Sequence, residues 1–361
     1  MEKSHLNRFW YGKKVLITGH TGFKGSWLSI FLYLLGAKII GISKDKNDGI
    51  YKLAKLRRIY EKEYFIDLSK VSDKKLDNIF NENKPQIIFH FAAQAIVSEA
   101  HYDPLGTVNS NLISTLNLLL SLERTGACKN ITISTTDKVY KDSTKFNIET
   151  SELGGSEFYS FSKVAVENII KLFIERNHDK FCISTVRSGN VIGGGDRGKD
   201  RITTDLLNNY YFNRPLFIRN KHSIRPWQYI LDSIYGYMLV AEENFTNKKS
   251  EVYNLNSKVN NSFTVEYFLN SFEKISGKKL KIKYSKTKFK ENEILRLNSQ
   301  KAKKNLGWKP VVELFEIVEK LFFWEENVKL NEVDPLVYSK NEIQEYIVKN
   351  KISFYLHEKS I

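Results

Sequence analysis

Three glycines, Gly19, Gly22 and Gly25, stand three residues apart between a short apolar segment and a longer one. Residues 14–18, before them, are mostly residues that favour strands, and residues 27–35, after them, are apolar on most faces, as in a helix beside a sheet. Glycine permits a tight turn and lets the backbone N–H groups at a helix N-terminus approach a pyrophosphate. The pattern therefore predicts a dinucleotide-binding turn between a strand and a helix.

Short apolar strands then alternate with segments of helical period as far as about residue 187. The predicted strands are residues 37–42, 64–66, 85–91, 130–134 and 181–186, and the predicted helices include residues 105–124 and 162–175. Strands that are apolar throughout indicate a parallel sheet covered on both faces, and helices between them indicate right-handed crossovers. We expect an α/β fold with a Rossmann-like doubly wound parallel sheet.

After about Ser188 this alternation stops, glycines cluster, and short helices and isolated strands follow. The change predicts a second, smaller mixed α/β domain that packs on the ligand edge of the sheet. We place the dinucleotide-binding domain at residues 1–187, with a returning segment near residues 226–252. The smaller domain then comprises residues 188–225 and 253–361.

Composition narrows the class of protein. The chain has 361 residues with 56 Lys+Arg and 41 Asp+Glu, a net charge of +15, but the positive charges are scattered and do not predict nucleic-acid binding. The two cysteines, Cys128 and Cys182, fit no metal-ligand spacing and suit a reducing cytosol. Residues 28–42 are too short to span a bilayer, and residues 1–14 lack the apolar core of a signal peptide. We therefore expect a cytoplasmic protein with no membrane partner and no metal.

Tyr159 and Lys163 lie four residues apart at the start of the helix that follows the fifth predicted strand. The same spacing recurs at Tyr51 and Lys55, so the position in the fold makes the pair informative. Residues i and i+4 share a helix face, which places the ammonium near the phenol. A nearby cation favours the phenolate of a tyrosine, whose reference pKa is about 10. We interpret Tyr159 as a catalytic base assisted by Lys163; the alternative is an ordinary amphipathic helix start.

The fifth strand ends in three polar residues, Thr136, Asp137 and Lys138. The hydroxyl of Thr136 is suited to bind a reacting oxygen beside the tyrosine. Dehydrogenation of an alcohol needs no further acid, whereas expulsion of water does, and Asp137 stands where it can supply one. The alternative is a strand-end turn that Asp137 merely caps.

The end of the second strand bears on the choice between NAD and NADP, because an acidic side chain there binds the ribose hydroxyls of NAD. This strand ends with Ser43 and Lys44, which tolerate a 2′-phosphate, and Asp45 lies two positions after Ser43. The choice stays open on these residues alone. Asp67, after the third strand, is a candidate for binding the adenine amino group, and a surface loop acid is the alternative.

Between about Phe9 and Trp324 the sequence resembles the extended short-chain dehydrogenase/reductases and, among them, the nucleotide-sugar 4,6-dehydratases. The segments that carry the resemblance are residues 14–28 (KVLITGHTGFKGSWL), 90–94 (HFAAQ), 137–138 (DK), 187–196 (RSGNVIGGGD), 200–202 (DRI), 219–220 (RN), 224–228 (IRPWQ) and 306–310 (LGWKP). The GNVIGGGD and IRPWQ segments are long and unusual, so chance does not account for the match.

The resemblance implies that NAD is the cofactor and that a nucleotide sugar is the substrate. The residues implied to bind the cofactor are Gly19, Thr21, Gly22, Phe23, Lys24, Gly25, Ser43, Asp67, Leu68, Phe91, Ala92, Ala93, Gln94, Asn111, Tyr159 and Lys163. The residues implied to bind the substrate are Gln94, Thr136, Asn190, Arg201, Arg219 and Arg225. A guanidinium suits phosphate oxygens, and a salt bridge is the alternative role for Arg201 and Arg225.

The reaction that the resemblance implies is an NAD-dependent dehydration of CDP-glucose to CDP-4-keto-6-deoxyglucose. Tyr159 would take the 4-hydroxyl proton during oxidation at C4, Asp137 would protonate the departing 6-hydroxyl as water is lost across C5 and C6, and hydride would return to C6. Thr136 would bind O4 and Lys163 the cofactor ribose, and Lys138 receives a site role without an assigned proton. A 4,6-dehydratase of a GDP- or UDP-linked sugar and a nucleotide-sugar 4-epimerase are the alternatives.

Three departures from the family pattern leave the nucleotide open. Residues 97–101 read VSEAH, without the expected arginine and tyrosine; Arg197 replaces a tryptophan; and Phe158 replaces the more usual proline before the catalytic tyrosine. The resemblance also implies a homodimer or higher homo-oligomer, with a contact through the helices that begin near Leu105 and Ser162. It further implies a place in deoxysugar and polysaccharide biosynthesis.

Overall fold

The structure is a computed structural model that describes residues 8–46, 49–141, 144–178, 180–257, 263–285 and 295–352. Its strands are β1 (Lys14–Thr18), β2 (Lys38–Ser43), β3 (Lys62–Phe65), β4 (Ile87–His90), β5 (Asn130–Ser134), β6 (Cys182–Ser188), β7 (Val191–Ile192), β8 (Leu216–Ile218), β9 (Gln228–Tyr229), β10 (Val252–Leu255) and β11 (Ile282–Tyr284). Seven of them form one parallel sheet in the order β3–β2–β1–β4–β5–β6–β10. The pairs β8–β11 and β7–β9 form two small sheets beside it.

Helices connect and cover the strands. They are α1 (Phe23–Leu34), α2 (Ile50–Leu53), α3 (Asp73–Asn83), α4 (Val97–Tyr102), α5 (Pro104–Val108), α6 (Ser114–Thr125), α7 (Phe158–Arg176), α8 (Ile202–Phe212), α9 (Ile230–Asn247), α10 (Val265–Ser276), α11 (Gln300–Leu306), α12 (Leu314–Lys329) and α13 (Pro335–Lys349). Short 3₁₀ turns occur at Leu56–Ile59 and Asp137–Val139, and a π-helical turn at Asn109–Ile113 joins α5 to α6.

The doubly wound parallel sheet predicted from the sequence is confirmed. Each predicted strand is present within two residues of its expected ends, and the helix predicted at residues 105–124 is the run of α5, the π-helical turn and α6. The seventh strand, β10, is not among the predicted strands. Its four residues include Asn254, a buried polar side chain that interrupts the apolar pattern.

Both faces of the sheet are buried because alternate residues of each strand point to opposite sides. In β1, Val15 and Ile17 join an apolar cluster with residues of α1, α9, α12 and α13. Leu16 joins a separate cluster with residues of α3, α6 and α7 on the other face. This two-sided cover explains why the strands are apolar throughout.

The parallel arrangement brings the carboxyl ends of the strands to one edge of the sheet. There β1 continues into the glycine turn, β5 into the 3₁₀ turn at Asp137–Val139, and β6 into the glycine-rich residues 189–198. Helix α9 packs against β5 and β6, and β10 pairs with β6, so the chain between residues 230 and 255 returns to this sheet. The predicted domain ends at residues 1 and 361 lie outside the described residues.

Two negative findings apply to the described ranges. No helix there combines the length and the apolar character needed to cross a membrane. No group of three or more His, Cys, Asp or Glu side chains is placed there to hold a metal ion. Cys128 and Cys182 are both buried.

Buried carboxyl groups lie in the helical layer that contains α9 and α13. Burial raises the pKa of Glu242 to about 7, although a hydrogen bond from the Trp10 indole and the charge of Lys13 oppose this rise. Burial likewise raises the pKa of Glu342 to about 7. A carboxyl group whose pKa is higher in the folded than in the unfolded chain binds more protons when the chain is folded. The protein therefore loses stability as the pH rises from the unfolded-state pKa to the folded-state pKa.

We therefore expect the free energy of unfolding to fall between about pH 4.5 and pH 7. Glu242→Gln should reduce this fall by on the order of 1–3 kcal/mol over the whole interval, because the neutral amide keeps an acceptor for Trp10 and does not ionise. Urea denaturation across this pH range measures the effect. Glu61→Gln, at a half-exposed side chain, is the control and should leave the slope unchanged. An unchanged slope in the Glu242 variant would show that this group does not titrate with folding.

Candidate active site

A cleft of about 790 Å³ lies at the carboxyl edge of the sheet. It brings together residues that the sequence separates by about 200 positions. The predicted site residues that line it are Gly19, Gly22, Phe23, Lys24, Gly25, Phe91, Ala93, Gln94, Thr136, Asp137, Lys138, Tyr159, Lys163, Asn190, Arg201, Arg219 and Arg225.

The glycine turn at the end of β1 leaves no room for side chains. Gly19 has φ +71°, and a Cβ there would lie 2.7 Å from the backbone nitrogen of Ala92. A Cβ on Gly25 would lie 2.3 Å from the carbonyl oxygen of Gly19. The turn therefore presents bare backbone to the cleft, at the N-terminus of α1, whose first N–H groups have no partner within the helix. Such a surface suits a pyrophosphate.

Helix α7 carries Tyr159 and Lys163 into the cleft. Its N-cap is Glu157, whose carboxylate accepts hydrogen bonds from the backbone nitrogens of Tyr159 at 2.7 Å and Ser160 at 2.8 Å. This cap starts the helix one residue before Tyr159, so both side chains point from the first two turns. The Lys163 ammonium donates to the carbonyl oxygen of Ser134 at the end of β5, at 3.2 Å.

The pKa values of Tyr159 and Lys163 are both shifted from their ordinary values. Burial, together with the nearby Lys24 ammonium, lowers the pKa of Lys163 to about 8, against the opposing charge of Glu167. Burial raises the pKa of Tyr159, a hydrogen bond with Thr136 lowers it, and the charge of Asp137 raises it further. Tyr159 is therefore a neutral phenol in the protein alone, and it needs an additional positive charge in the cleft to become a base at neutral pH.

Thr136 and Asp137 form a buried pair beside this tyrosine. The Thr136 hydroxyl donates to Oδ1 of Asp137 at 3.0 Å and accepts from the backbone nitrogen of Lys138 at 3.3 Å. Oδ2 of Asp137 is buried, and no described residue hydrogen bonds to it. A buried carboxyl oxygen without a protein partner, facing a cleft, is positioned to exchange a proton with a bound molecule.

Gln94, which lines the cleft, is held in place by hydrogen bonds to residues of α5 and of the π-helical turn. Its backbone nitrogen donates to Asn111 at 2.8 Å, and the Asn111 amide donates in return to the carbonyl oxygen of Gln94 and to the hydroxyl of Ser162. The Gln94 amide donates to Thr107 at 2.9 Å. Asn111 does not line the cleft, and its position in the π-helical turn makes it a brace between Gln94 and α7.

Other residues predicted to bind the cofactor lie outside the cleft lining: Thr21, Ser43, Asp67, Leu68 and Ala92. The Ser43 hydroxyl is buried against the His20 ring at 3.0 Å, and the Thr21 hydroxyl donates to the carbonyl oxygen of Asp45. Asp67 accepts from Ser69, and its carboxylate lies 3.7 Å from the Lys44 ammonium.

At the other end of the cleft, cationic side chains face the predicted phosphate region. Arg201 lies there, with a guanidinium nitrogen 2.6 Å from the carboxylate of Asp196. Arg197, which replaces the expected tryptophan, forms a bidentate pair with Glu325 of α12 and thereby ties the glycine-rich loop to that helix. Residues 97–101, which depart from the family pattern, also meet this loop, because the hydroxyl of Ser98 donates to Asp200.

Sequence reasoning missed several groups around the site. Lys24 donates to the Ser188 hydroxyl at 2.8 Å and to Tyr237 of α9 at 3.3 Å, so α9 contributes to the site although no motif marks Tyr237. Glu167 is buried behind Lys163 in an ion pair with Arg187. The sequence could have indicated Glu167, because it follows Lys163 at the same four-residue spacing that separates Tyr159 from Lys163.

Comparison with known proteins places the chain in a family. The model of the family described as GDP-mannose 4,6 dehydratase matches residues 16–321. The chain is 34% identical over 355 residues to CDP-glucose 4,6-dehydratase of Salmonella typhimurium, which covers 94% of this chain and 97% of that protein. It is 23% identical over 332 residues to UDP-glucose 4-epimerase of Bacillus subtilis, covering 86% of this chain and 96% of that protein.

Solved structures share the fold. UDP-glucose 4-epimerase from Bifidobacterium longum, in complex with NAD+ and UDP, matches with a TM-score of 0.78 and 21% identity, over 87% of this chain and 98% of that one. The family match spans the glycine turn, Asp137 and the Tyr–Lys pair, and the resemblance predicted from these motifs is confirmed. The chain belongs to the GDP-mannose 4,6-dehydratase family of nucleotide-sugar enzymes.

Proposed function

We propose that this protein is an NAD-dependent CDP-glucose 4,6-dehydratase. Its 34% identity to the Salmonella typhimurium enzyme extends over almost the whole chain and exceeds the 23% shared with the Bacillus subtilis epimerase. The observation that carries the proposal is the buried, unpartnered Oδ2 of Asp137 beside Tyr159, because loss of water needs an acid that alcohol oxidation does not.

The residues present fit a dinucleotide. A Cβ on Gly19 or Gly25 would collide with the backbone of residues 19, 20, 91 or 92, so these positions need glycine for the turn that brings the N-terminus of α1 to the cleft. Backbone N–H groups at a helix N-terminus suit a pyrophosphate. Lys163 is placed to hold the ribose next to the nicotinamide, and Gln94 to line the same end of the cleft. When bound, NAD would supply an acceptor for the hydride of C4 and a donor for its return to C6, and the positive charge of its nicotinamide would favour ionisation of the nearby phenol.

Tyr159 acts in the first step. Its phenolate accepts the proton of the 4-hydroxyl while C4 is oxidised to a ketone, and Lys163 stabilises the negative phenolate. Thr136 hydrogen bonds to O4 and also to Asp137, whose Oδ1 lies 3.0 Å from its hydroxyl. Because Thr136 also hydrogen bonds to Tyr159, the proton that Tyr159 takes from O4 has a path through the Thr136 hydroxyl to Asp137, the acid of the second step.

Asp137 acts in the second step. The 4-ketone acidifies the proton on C5, and a water molecule that Lys138 orients takes that proton. Its electron pair forms the C5–C6 double bond, the C6–O bond breaks, and the hydroxyl leaves as water with a proton from Asp137. Lys138 faces the cleft next to Asp137 and orients that carboxyl or a water molecule. With NAD bound, hydride would return to C6, and the water that took the C5 proton would give it back to C5, so the net change is loss of one water.

The nucleotide end of the substrate is assigned to the cationic part of the cleft. Asn190, Arg201, Arg219 and Arg225 all line it, and guanidinium groups bind phosphate oxygens bidentately. CDP is favoured over GDP or UDP because the relative that is 34% identical to this chain is a CDP-glucose 4,6-dehydratase.

The wild-type protein, incubated with NAD and separately with CDP-, GDP-, UDP- and dTDP-glucose, should release one water from CDP-glucose without net formation of NADH. Asp137→Asn should lower this rate by about 10²–10⁴-fold, because the amide keeps the hydrogen bond to Thr136 but supplies no proton. Mass spectrometry of the nucleotide sugar measures both.

Two results would contradict the proposal. A product of unchanged mass with an inverted C4 centre would identify a 4-epimerase, and near-normal water loss in the Asp137→Asn variant would remove Asp137 from the acid role. Water loss from another nucleotide sugar would support the proposed dehydration but show that CDP-glucose is not the substrate.

Gly19→Ala should weaken NAD binding by more than about 10-fold, because the methyl group would collide with the backbone that forms the cofactor cradle. Gly12→Ala is a matched control: Gly12 also has φ +71°, but no atom lies within 4 Å of the added Cβ. It should lose about 1 kcal/mol of stability and bind NAD normally. Calorimetric titration measures both affinities, and equal loss in the two variants would show that backbone strain alone explains the effect.

The homo-oligomer and the cytoplasmic location stay predictions. At the expected contact, Leu105, Phe161 and Leu172 are 70%, 55% and 62% exposed, which fits an apolar surface that a second copy covers. Ile170, another apolar residue of α7, is buried and faces the sheet.

A further inference from the structure

The segment that carries Thr136, Asp137 and Lys138 is held at both of its ends by one buried ion pair. At its start, the Thr135 hydroxyl donates to Oε1 of Glu167 at 2.7 Å. At its end, the guanidinium of Arg187 donates to the hydroxyl of Tyr140 at 2.9 Å. Glu167 and Arg187 are themselves joined by two hydrogen bonds of 2.9 and 3.1 Å.

The same carboxylate belongs to the helix that carries the base. Tyr159, Lys163 and Glu167 follow one another at four-residue intervals on α7, so they share one face of that helix. The side chains of Glu167 and Arg187 are 5% and 4% exposed, which keeps water from competing for their hydrogen bonds. The pair therefore connects the helix of the proton acceptor to the segment of the proton donor.

The far end of the segment is anchored as firmly as its start. The Tyr140 hydroxyl donates to Asn254 of β10 at 2.7 Å, and Arg187 lies over the Tyr140 ring with its guanidinium carbon 5.0 Å from the ring centre. Arg187 also donates to the carbonyl oxygen of Glu149 at 2.9 Å. Apart from the bond to Glu149, the hydrogen bonds of this network join residues of the segment between 135 and 140, of α7 and of the strands β6 and β10.

We propose that Glu167 and Arg187 are a positioning pair that sets the separation of Asp137 from Tyr159 and thereby controls the rate of water loss. The inference rests on the proposed dehydration, because only that reaction uses Asp137. Stability alone does not require such a pair, since well-packed apolar residues often replace a buried ion pair without loss of stability. The fixed geometry is what apolar packing would not supply.

The network contains its own matched control. Thr185 of β6 donates to Oε2 of the same Glu167 carboxylate at 3.1 Å, but its neighbours in the chain are strand residues and not the proposed acid. Thr135→Val and Thr185→Val therefore each remove one hydroxyl bond to one buried carboxylate by the same substitution. They differ in whether that bond holds the segment with Asp137.

Thr135→Val should lower kcat for water loss on the order of 10-fold with little change in KM, because the donor and acceptor are no longer held at their separation. Reduced cofactor should build up during turnover, seen by its absorbance, because the first step depends on Tyr159 and Lys163, which stay in place. Thr185→Val should keep near-normal kcat at a similar melting temperature. Tyr140→Phe, which releases the other end of the segment, should behave like Thr135→Val.

Hydrogen–deuterium exchange of the peptide that contains residues 135–140 gives a readout that needs no turnover. Exchange there should rise in Thr135→Val and stay at the wild-type level in Thr185→Val. Equal exchange and equal kcat in the two variants would overturn the positioning role. If the wild-type protein removes no water from any nucleotide sugar, the proposed dehydration fails, and the exchange comparison still decides whether the pair holds the segment.

Discussion

The packing of one face of α7 against the ends of β5 and β6 is the contact on which the proposed chemistry depends. Lys163 bonds to the last residue of β5, and Glu167 bonds to Thr135 just beyond it and to Arg187 near the end of β6. Tyr159 shares that face. The helix therefore places a base, a cation and a buried carboxylate along one line, directly over the strand that delivers Thr136 and Asp137.

Burial gives these groups their reactivity and also limits it. Because the site is enclosed, the pKa of Lys163 falls to about 8 and the pKa of Tyr159 rises, so the protein alone holds a neutral phenol. A bound cationic nicotinamide would reverse this balance next to Lys163. The arrangement thus couples proton removal from the sugar to the presence of the cofactor, which limits side reactions in an empty cleft.

Much of the fold and part of the site follow from local sequence patterns. Apolar strands, the glycine turn and the helical spacing of Tyr159 and Lys163 are local signals, and each predicts structure within a few residues of itself. Contacts between distant segments carry no such signal. Arg197 pairs with Glu325, which lies 128 positions later, and Ser43 turns its hydroxyl toward His20. Asn111 is a further example. It hydrogen bonds to Gln94 from outside the cleft, and this role depends on tertiary packing that no local pattern predicts.

The central claim is that hydride removed from C4 returns to C6 of the same sugar. The most direct measurement is the fate of deuterium placed at C4 of CDP-glucose, mixed with unlabelled substrate and followed by NMR and mass spectrometry. Deuterium should appear in the C6 methyl group of the product, without exchange between molecules and with loss of one water. Deuterium that stays at C4 of a product with inverted configuration, or that is lost to solvent, would contradict it.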